Sequence, residues 1–146
     1  MKYILPLLLI SSMLQAQHSG EEKKVLGVVQ QFFDALEKQD TVSFRNMFLD
    51  GARNYAARDV QDSVVVRGFL AKDFRFKPGQ VITERMRVAA TEVRVHGNIA
   101  MVWAPYDLWV NGTFTHCGVD AFTLIKKSSG WKIASVSYTV EHDGCQ

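Results

Sequence analysis

A chain of 146 residues with a formal net charge of +2 is long enough for one domain with its own hydrophobic core. Its 17 basic and 15 acidic residues are interspersed, without the basic block that a nucleic-acid-binding surface needs. We therefore expect no nucleic-acid partner.

The first predicted element is a secretion signal. Lys2 precedes an apolar run over residues 4–14, which is shorter than the ~20 residues of a membrane-spanning helix. Ala16 is a small residue that suits a cleavage site. We therefore expect an exported protein, periplasmic or secreted, with residues 1–16 as the signal peptide, residues 17–146 as one domain, and no membrane span.

Two helices are predicted next. Over residues 21–39, apolar side chains recur at steps of three and four, which is typical of an amphipathic helix. Asp40 and Thr41 suit the start of a second, shorter helix, which we expect to end at Asp50 and Gly51.

After Gly51 the apolar period changes to two, which predicts antiparallel strands. The predicted strands cover residues 54–58, 63–66, 81–88, 91–95, 99–109, 114–126 and 131–141. Pro105 predicts a bulge or a sheet edge within its strand. Helices followed by antiparallel strands predict an α+β fold, in which the helices pack on one face of a curved sheet.

Three segments in the second half are similar to the nuclear transport factor 2-like superfamily, which includes SnoaL-like and ketosteroid isomerase-like proteins. They are NIAMVW at 98–103, HCGVDAF at 116–122 and GWKIAS at 130–135. The resemblance implies a cone-shaped antiparallel sheet wrapped around two to three N-terminal helices. It also implies a pocket inside the open end and a homodimer formed through the sheet.

The last hairpin can be read in register from its turn at residues 127–130. The predicted pairs on one face are Lys126–Trp131, Leu124–Ile133, Phe122–Ser135, Asp120–Ser137 and His116–Glu141. This face is apolar near the turn and polar towards the strand ends, as in a ligand pocket. The opposite face suits a dimer interface; it carries Val119, Ala121, Thr123, Ala134, Val136 and Tyr138.

Asp120 and His116 are the candidate catalytic residues. A carboxylate on an apolar face is costly unless it is hydrogen-bonded or functional, and a bond from Ser137 is the structural alternative. His116 opposite Glu141 would have a raised pKa and an oriented ring; the alternative is a surface pair. If Ser137 and backbone donors satisfied Asp120 away from any cavity, a catalytic role would be excluded.

Further side chains are candidates for binding a ligand. They are Tyr55, Trp103, Tyr106, Trp109, Phe122, Ser137 and Glu141. A tyrosine hydroxyl would polarise a ligand carbonyl, as the resemblance to ketosteroid isomerase implies. For each aromatic residue the alternative is ordinary core packing.

Cys117 and Cys145 can form a disulfide in an oxidising compartment. In the predicted register Cys117 faces Val140, so an extended tail would hold the two α-carbons beyond the ~7 Å limit of a disulfide. A tail that folds back at residues 142–144 would close this gap, and both states stay open. His116 and Cys117 point to opposite faces of a strand, and we expect neither a metal nor a cofactor.

Three functional hypotheses follow. The leading one is an exported domain that binds a small, partly apolar molecule. The first alternative is an enzyme of the isomerase, dehydratase or cyclase type, with Asp120 or His116 as general base. The second alternative is a non-catalytic interaction or accessory domain.

Overall fold

The computed structural model describes residues 19–145, and the predicted signal peptide lies outside this range. The predicted first helix is confirmed as α1 (Gly20–Lys38). At its start, the Ser19 hydroxyl accepts a hydrogen bond from the Glu22 backbone N–H at 3.2 Å, and the Glu22 carboxylate accepts one from the Ser19 N–H at 2.7 Å. This capping box pairs two backbone donors that a helix start otherwise leaves free.

The second helix, α2 (Thr41–Asn46), is shorter than predicted. The Asp40 carboxylate caps it by accepting from the Ser43 backbone N–H at 3.0 Å. The expected end at Asp50 is wrong because Phe48 already pairs with Ile133 in the sheet. No helix within residues 19–145 has the length and hydropathy needed to cross a bilayer.

Over residues 19–145, seven strands form one sheet. They are β1 (Phe48–Val60), β2 (Ser63–Leu70), β3 (Ile82–Met86), β4 (Glu92–His96), β5 (Ile99–Val110), β6 (Thr113–Lys127) and β7 (Gly130–Val140). Their order is β2-β1-β7-β6-β5-β3, and β4 also pairs with β5. The β1–β7 pair is parallel and the others are antiparallel. The predicted α+β fold with a curved sheet is confirmed.

The helices pack on the concave face of the sheet. Phe32 of α1 is central, with its ring centroid 5.4 Å from that of Phe44 in α2 and 5.2 Å from that of Phe122 in β6. Burying each such side chain contributes ~1.5–3 kcal/mol to folding. The predicted apolar stripe of α1 is therefore what closes the inside of the sheet.

The start of α1 is also tied to the β6–β7 hairpin by Glu21. Its carboxylate accepts from the Lys126 ammonium at 2.8 Å, from Lys24 at 2.8 Å and from the Trp131 indole N–H at 3.0 Å. These hydrogen bonds, the one from Lys126 first, lower the pKa of Glu21 to about 2. The helix is thereby fixed over the concave face from its first turn.

A bulge in β7 overturns the predicted register of the last hairpin. Leu124 pairs with Ile133 as predicted, but Thr123 pairs with Ser135. Ala134 is thus an extra residue on β7, opposite no residue of its own on β6. Such a bulge moves every later side chain of its strand to the other face of the sheet.

Beyond this bulge, Asp120 lies opposite Tyr138 rather than Ser137. Val136 and Tyr138, predicted for the outer face, therefore point to the concave side, whereas Ser137 lies on the outside and is exposed. One residue of register thus decides which side chains of β7 can reach an internal site.

The predicted bulge at Pro105 is not present. Pro105 pairs with Val119 in regular register, and the irregularity of this hairpin lies between Leu108 and Trp109. On its other side, β5 pairs with β4 up to Trp103 and with β3 from Tyr106 onward. Pro105 has no backbone N–H. It lies between the part of β5 that pairs with β4 and the part that pairs with β3, where no neighbouring strand requires an N–H donor.

Candidate ligand-binding site

A cavity of about 390 Å³ lies between the concave face of the sheet and the two helices. This volume is in the range of small-molecule sites. Most of its wall is aromatic or aliphatic, including Phe32, Phe44, Phe69, Phe74, Leu108 and Val136. The wall therefore suits the faces of an apolar or planar molecule.

Two polar residues within residues 19–145 are buried, and both line this cavity. Asn54 of β1 is 4% exposed and Asp120 of β6 is 2% exposed. The Asn54 Oδ1 and Asp120 Oδ2 atoms have no hydrogen-bond donor among the described residues. Unpaired buried oxygens cost folding free energy, about 1–3 kcal/mol each. These two oxygen atoms are thus left free for a molecule that enters the cavity.

Asp120 shares its surroundings with a second carboxyl group, that of Glu84 on β3. Burial raises the pKa of Glu84 to about 7. Burial, and then the charge of Glu84 and a hydrogen bond to it, raise the pKa of Asp120 well above its usual range. The pair therefore holds at least one proton at neutral pH, with Asp120 as the donor towards Glu84.

Two tyrosines stand beside this carboxyl pair, and burial raises the pKa of both. The Tyr106 hydroxyl donates to the Thr139 carbonyl at 2.7 Å, so its proton is already engaged. The Tyr138 hydroxyl has no hydrogen-bond partner within residues 19–145 and lines the cavity. Tyr138, rather than the predicted Tyr106, is the tyrosine able to donate to a ligand carbonyl.

His116 and His142 line the more exposed end of the cavity. Their ring centroids are 6.0 Å apart, and His116 Nδ1 is 3.0 Å from the Thr115 hydroxyl. Burial, and then the charge of His142, lower the pKa of His116. The predicted rise in this pKa is wrong because the bulge places Cys117, not His116, opposite Glu141.

A disulfide between Cys117 and Cys145 fastens the C-terminal tail next to these histidines. The two α-carbons are 5.7 Å apart because the tail folds back after β7, with Gly144 in the left-handed region at φ 74°. The His142 ring also contacts the Thr115 carbonyl, with Nδ1 at 3.2 Å. Of the two states that the sequence left open, the structure has the disulfide.

Residues 20–139 match the family model described as "Putative lumazine-binding". The chain belongs to this family. The match spans both helices and nearly all of the sheet, so it includes both carboxyl groups and all of the residues that line the cavity except Val140 and His142. No curated protein matches this member of the putative lumazine-binding family.

Several solved structures that are similar to this family member are described as nuclear transport factor 2-like proteins. A putative dehydratase of that family from Streptomyces avermitilis is 14% identical with a TM-score of 0.60, over 83% of this chain and 96% of that one. A superfamily protein from Salmonella enterica is 15% identical with a TM-score of 0.64, over 85% and 93%. A nuclear transport factor 2-like protein with a cystatin-like fold from Novosphingobium aromaticivorans is 12% identical with a TM-score of 0.60, over 86% and 84%. These likenesses confirm the predicted fold.

The structure brings some of the predicted site residues to the cavity and not others. Asp120, His116 and Tyr106 line it, and Phe122 packs behind the wall against Phe32. The remaining predicted residues do not line it: Tyr55, Trp103, Trp109, Ser137 and Glu141. Tyr55 and Trp103 are on the outer face, and the β7 bulge turns Ser137 outward.

Glu84 and Asn54 are site residues that the sequence reasoning missed. Glu84 lies between Ile82 and Met86 at a spacing of two, which is a signal that it shares their apolar face. Asn54 likewise alternates with buried Ala52 and Ala56 on β1. Each of these alternating patterns is short, and alanine is a weak indicator that a strand face points inward.

Proposed function

We propose that this chain binds a small, partly apolar molecule in the cavity, with the Asp120–Glu84 carboxyl pair as its polar anchor. Asp120 carries the proposal, since a buried carboxyl oxygen without a donor faces a cavity of ligand size. A ligand N–H or O–H at this point would supply the missing bond. The family description supports a planar nitrogen heterocycle such as lumazine, whose rings would lie against the phenylalanine walls.

Replacing Asp120 by alanine is expected to weaken lumazine binding about 10- to 100-fold, because a hydrogen bond to a charged or acidic group is lost. Isothermal titration of the wild type and the variant measures this change. Asp59→Ala is the matched control, since Asp59 is exposed on β1 and outside the cavity. Equal affinity of Asp120→Ala and wild type would contradict the proposed anchor.

A second candidate function is acid–base catalysis of the isomerase, dehydratase or cyclase type. The observation that favours it is the pKa of Glu84, raised to about 7 by burial beside a protonated Asp120. Such a pair can accept and return a proton at neutral pH. In this scheme Glu84 is the base, whereas Asp120 retains its proton and donates a hydrogen bond.

The same titrations distinguish a binding protein from an enzyme when they are combined with proton exchange. In D2O, an enzyme would introduce deuterium next to the carbonyl of a bound bicyclic ketone such as 2-tetralone, and Glu84→Gln would abolish the signal. Binding of lumazine without any exchange supports the binding protein. If the wild type binds neither lumazine nor 2-tetralone, a non-catalytic interaction domain is favoured.

We also propose a homodimer formed through the outer face of the sheet. Met101 and Trp103 on β5 are 61% and 54% exposed and adjoin Ala121 of β6. Together they form an exposed apolar patch, which is typical of a protein–protein interface. Trp103→Asp is expected to halve the mass measured by light scattering. Val42→Asp, at an exposed site on α2, is the control. A wild type that is already monomeric would contradict the dimer.

We further propose that the protein is exported and cleaved near Ala16. The Cys117–Cys145 disulfide supports this, because such bonds persist in oxidising compartments. The intact mass of the protein recovered from its native cell tests the proposal. A mass that still includes residues 1–16 would overturn it.

A further inference from the structure

Asn54 is a buried polar residue that the carboxyl pair does not explain. It lies on the concave face of β1, opposite Val136 of β7, and lines the same cavity as Asp120. The Oδ1 atom of its amide has no hydrogen-bond donor within residues 19–145. Its neighbours on that face, Ala52 and Ala56, are apolar and offer no partner. A donor for this oxygen can therefore come from a molecule in the cavity.

The chemistry of a primary amide defines what that partner must offer. Its oxygen accepts and its nitrogen donates, and both lie in one plane. Two parallel hydrogen bonds satisfy both at once when the other molecule has an adjacent donor and acceptor, as when asparagine reads the edge of adenine. A lactam or amidine edge of a nitrogen heterocycle has this arrangement.

The position of Asn54 relative to the carboxyl pair sets the shape of the ligand. Asn54 is in register with Val136, whereas Asp120 is in register with Tyr138, two residues further along β7. Two strand spacings and two residues separate the α-carbons by roughly 12 Å. Both side chains point into the cavity, so their polar ends are nearer to each other. One fused ring system with polar groups at opposite ends can bridge them.

We infer that Asn54 is a specificity-determining residue, which selects a ligand with a lactam or amidine edge while the Asp120–Glu84 pair holds an N–H or O–H at the opposite end. This inference rests on the proposed binding function and adds the class of ligand. Aromatic walls between the two anchors favour a planar ring system. A molecule with one polar end would leave one anchor unpaired and bind more weakly.

Two probes and two substitutions test the inference by calorimetry. The probes are lumazine and 3-methyllumazine, in which one methyl group replaces the N3–H donor and the N1–H remains available to the carboxyl pair. We expect Asn54→Leu, which is similar in size, to weaken lumazine binding about 10- to 100-fold and to bring the two probes within a few-fold of each other. Asn54→Ala provides the same comparison with a smaller side chain. Asn98→Ala, in an exposed turn, is the control and should not change either affinity.

The unliganded melting temperature separates a ligand-reading role from a structural one. Because the buried Asn54 Oδ1 atom has no donor without ligand, Asn54→Leu is expected to raise this temperature by a few degrees while affinity falls. The inference would be overturned if Asn54→Leu had a lower melting temperature than wild type and lost affinity for both probes equally. An Asn54→Leu variant that binds lumazine as tightly as wild type would also overturn the inference. In that case the proposed function would still stand if Asp120→Ala weakened lumazine binding. A wild type that binds neither probe would overturn both.

Discussion

Replacing Glu84 by glutamine is expected to remove the part of the pH dependence of stability that Glu84 imposes between pH 4.5 and 7. Burial raises the pKa of Glu84 from 4.5 to about 7. The folded protein therefore holds a proton that the unfolded chain releases in this interval. This contribution to stability is complete below pH 4.5 and is lost as the pH rises through about 7.

The size of this effect follows from the shift in pKa. The change in the Glu84 pKa corresponds to about 3 kcal/mol, since one unit of pKa is ~1.4 kcal/mol. Between pH 4.5 and 7, the free energy of unfolding of wild type should fall by about this much relative to that of Glu84→Gln. Urea unfolding at several pH values measures this change. Glu92→Gln, at an exposed site on β4, is the control. Parallel pH profiles for wild type and Glu84→Gln would contradict a buried carboxyl pair.

Removing the Cys117–Cys145 disulfide is expected to lower stability by about 3.5 kcal/mol. The cysteines are 28 residues apart, and closing a loop of this length restricts the unfolded chain by about that amount. The melting temperature should fall by roughly 10 °C. Cys145→Ala is the suitable variant, because Cys117 is buried and its loss would also leave a void in the core.

Urea unfolding with and without a reductant measures this change. A reductant should bring wild type to the stability of Cys145→Ala and leave the variant unchanged. The variant also frees the tail that holds His142 beside His116, so ligand release should become faster. Equal stability of both proteins under oxidising conditions would show that the disulfide does not constrain the unfolded chain.

Much of the fold was predictable because its signals are local. The apolar spacing of α1 and the Asp40 cap of α2 each lie within a few consecutive residues, and so do the glycine-containing turns between strands. The interior position of Asp120 was also predictable, since β6 continues its alternation without interruption from Leu124 to Asp120. A side chain can be assigned to a face from sequence wherever its strand keeps a period of two.

The partners of these residues depended on non-local pairing. The parallel contact between β1 and β7 brings Asn54 to the cavity, and pairing of β3 with β5 brings Glu84 to Asp120. Neither strand pairing can be predicted from the spacing of neighbouring residues in the sequence. Tyr55 was predicted instead of Asn54 because its ring is the more conspicuous side chain, although it faces outward.

The amino-acid sequence by itself therefore determined the elements of this protein and the inward position of Asp120. The tertiary structure alone decided what faces Asp120. The extra residue Ala134 reverses the faces of β7, which replaces Ser137 by Tyr138 beside the carboxyl group. Burial and the proximity of Glu84 then set the protonation of the pair, because a carboxyl pKa depends on the solvent and charges around it in space rather than along the chain.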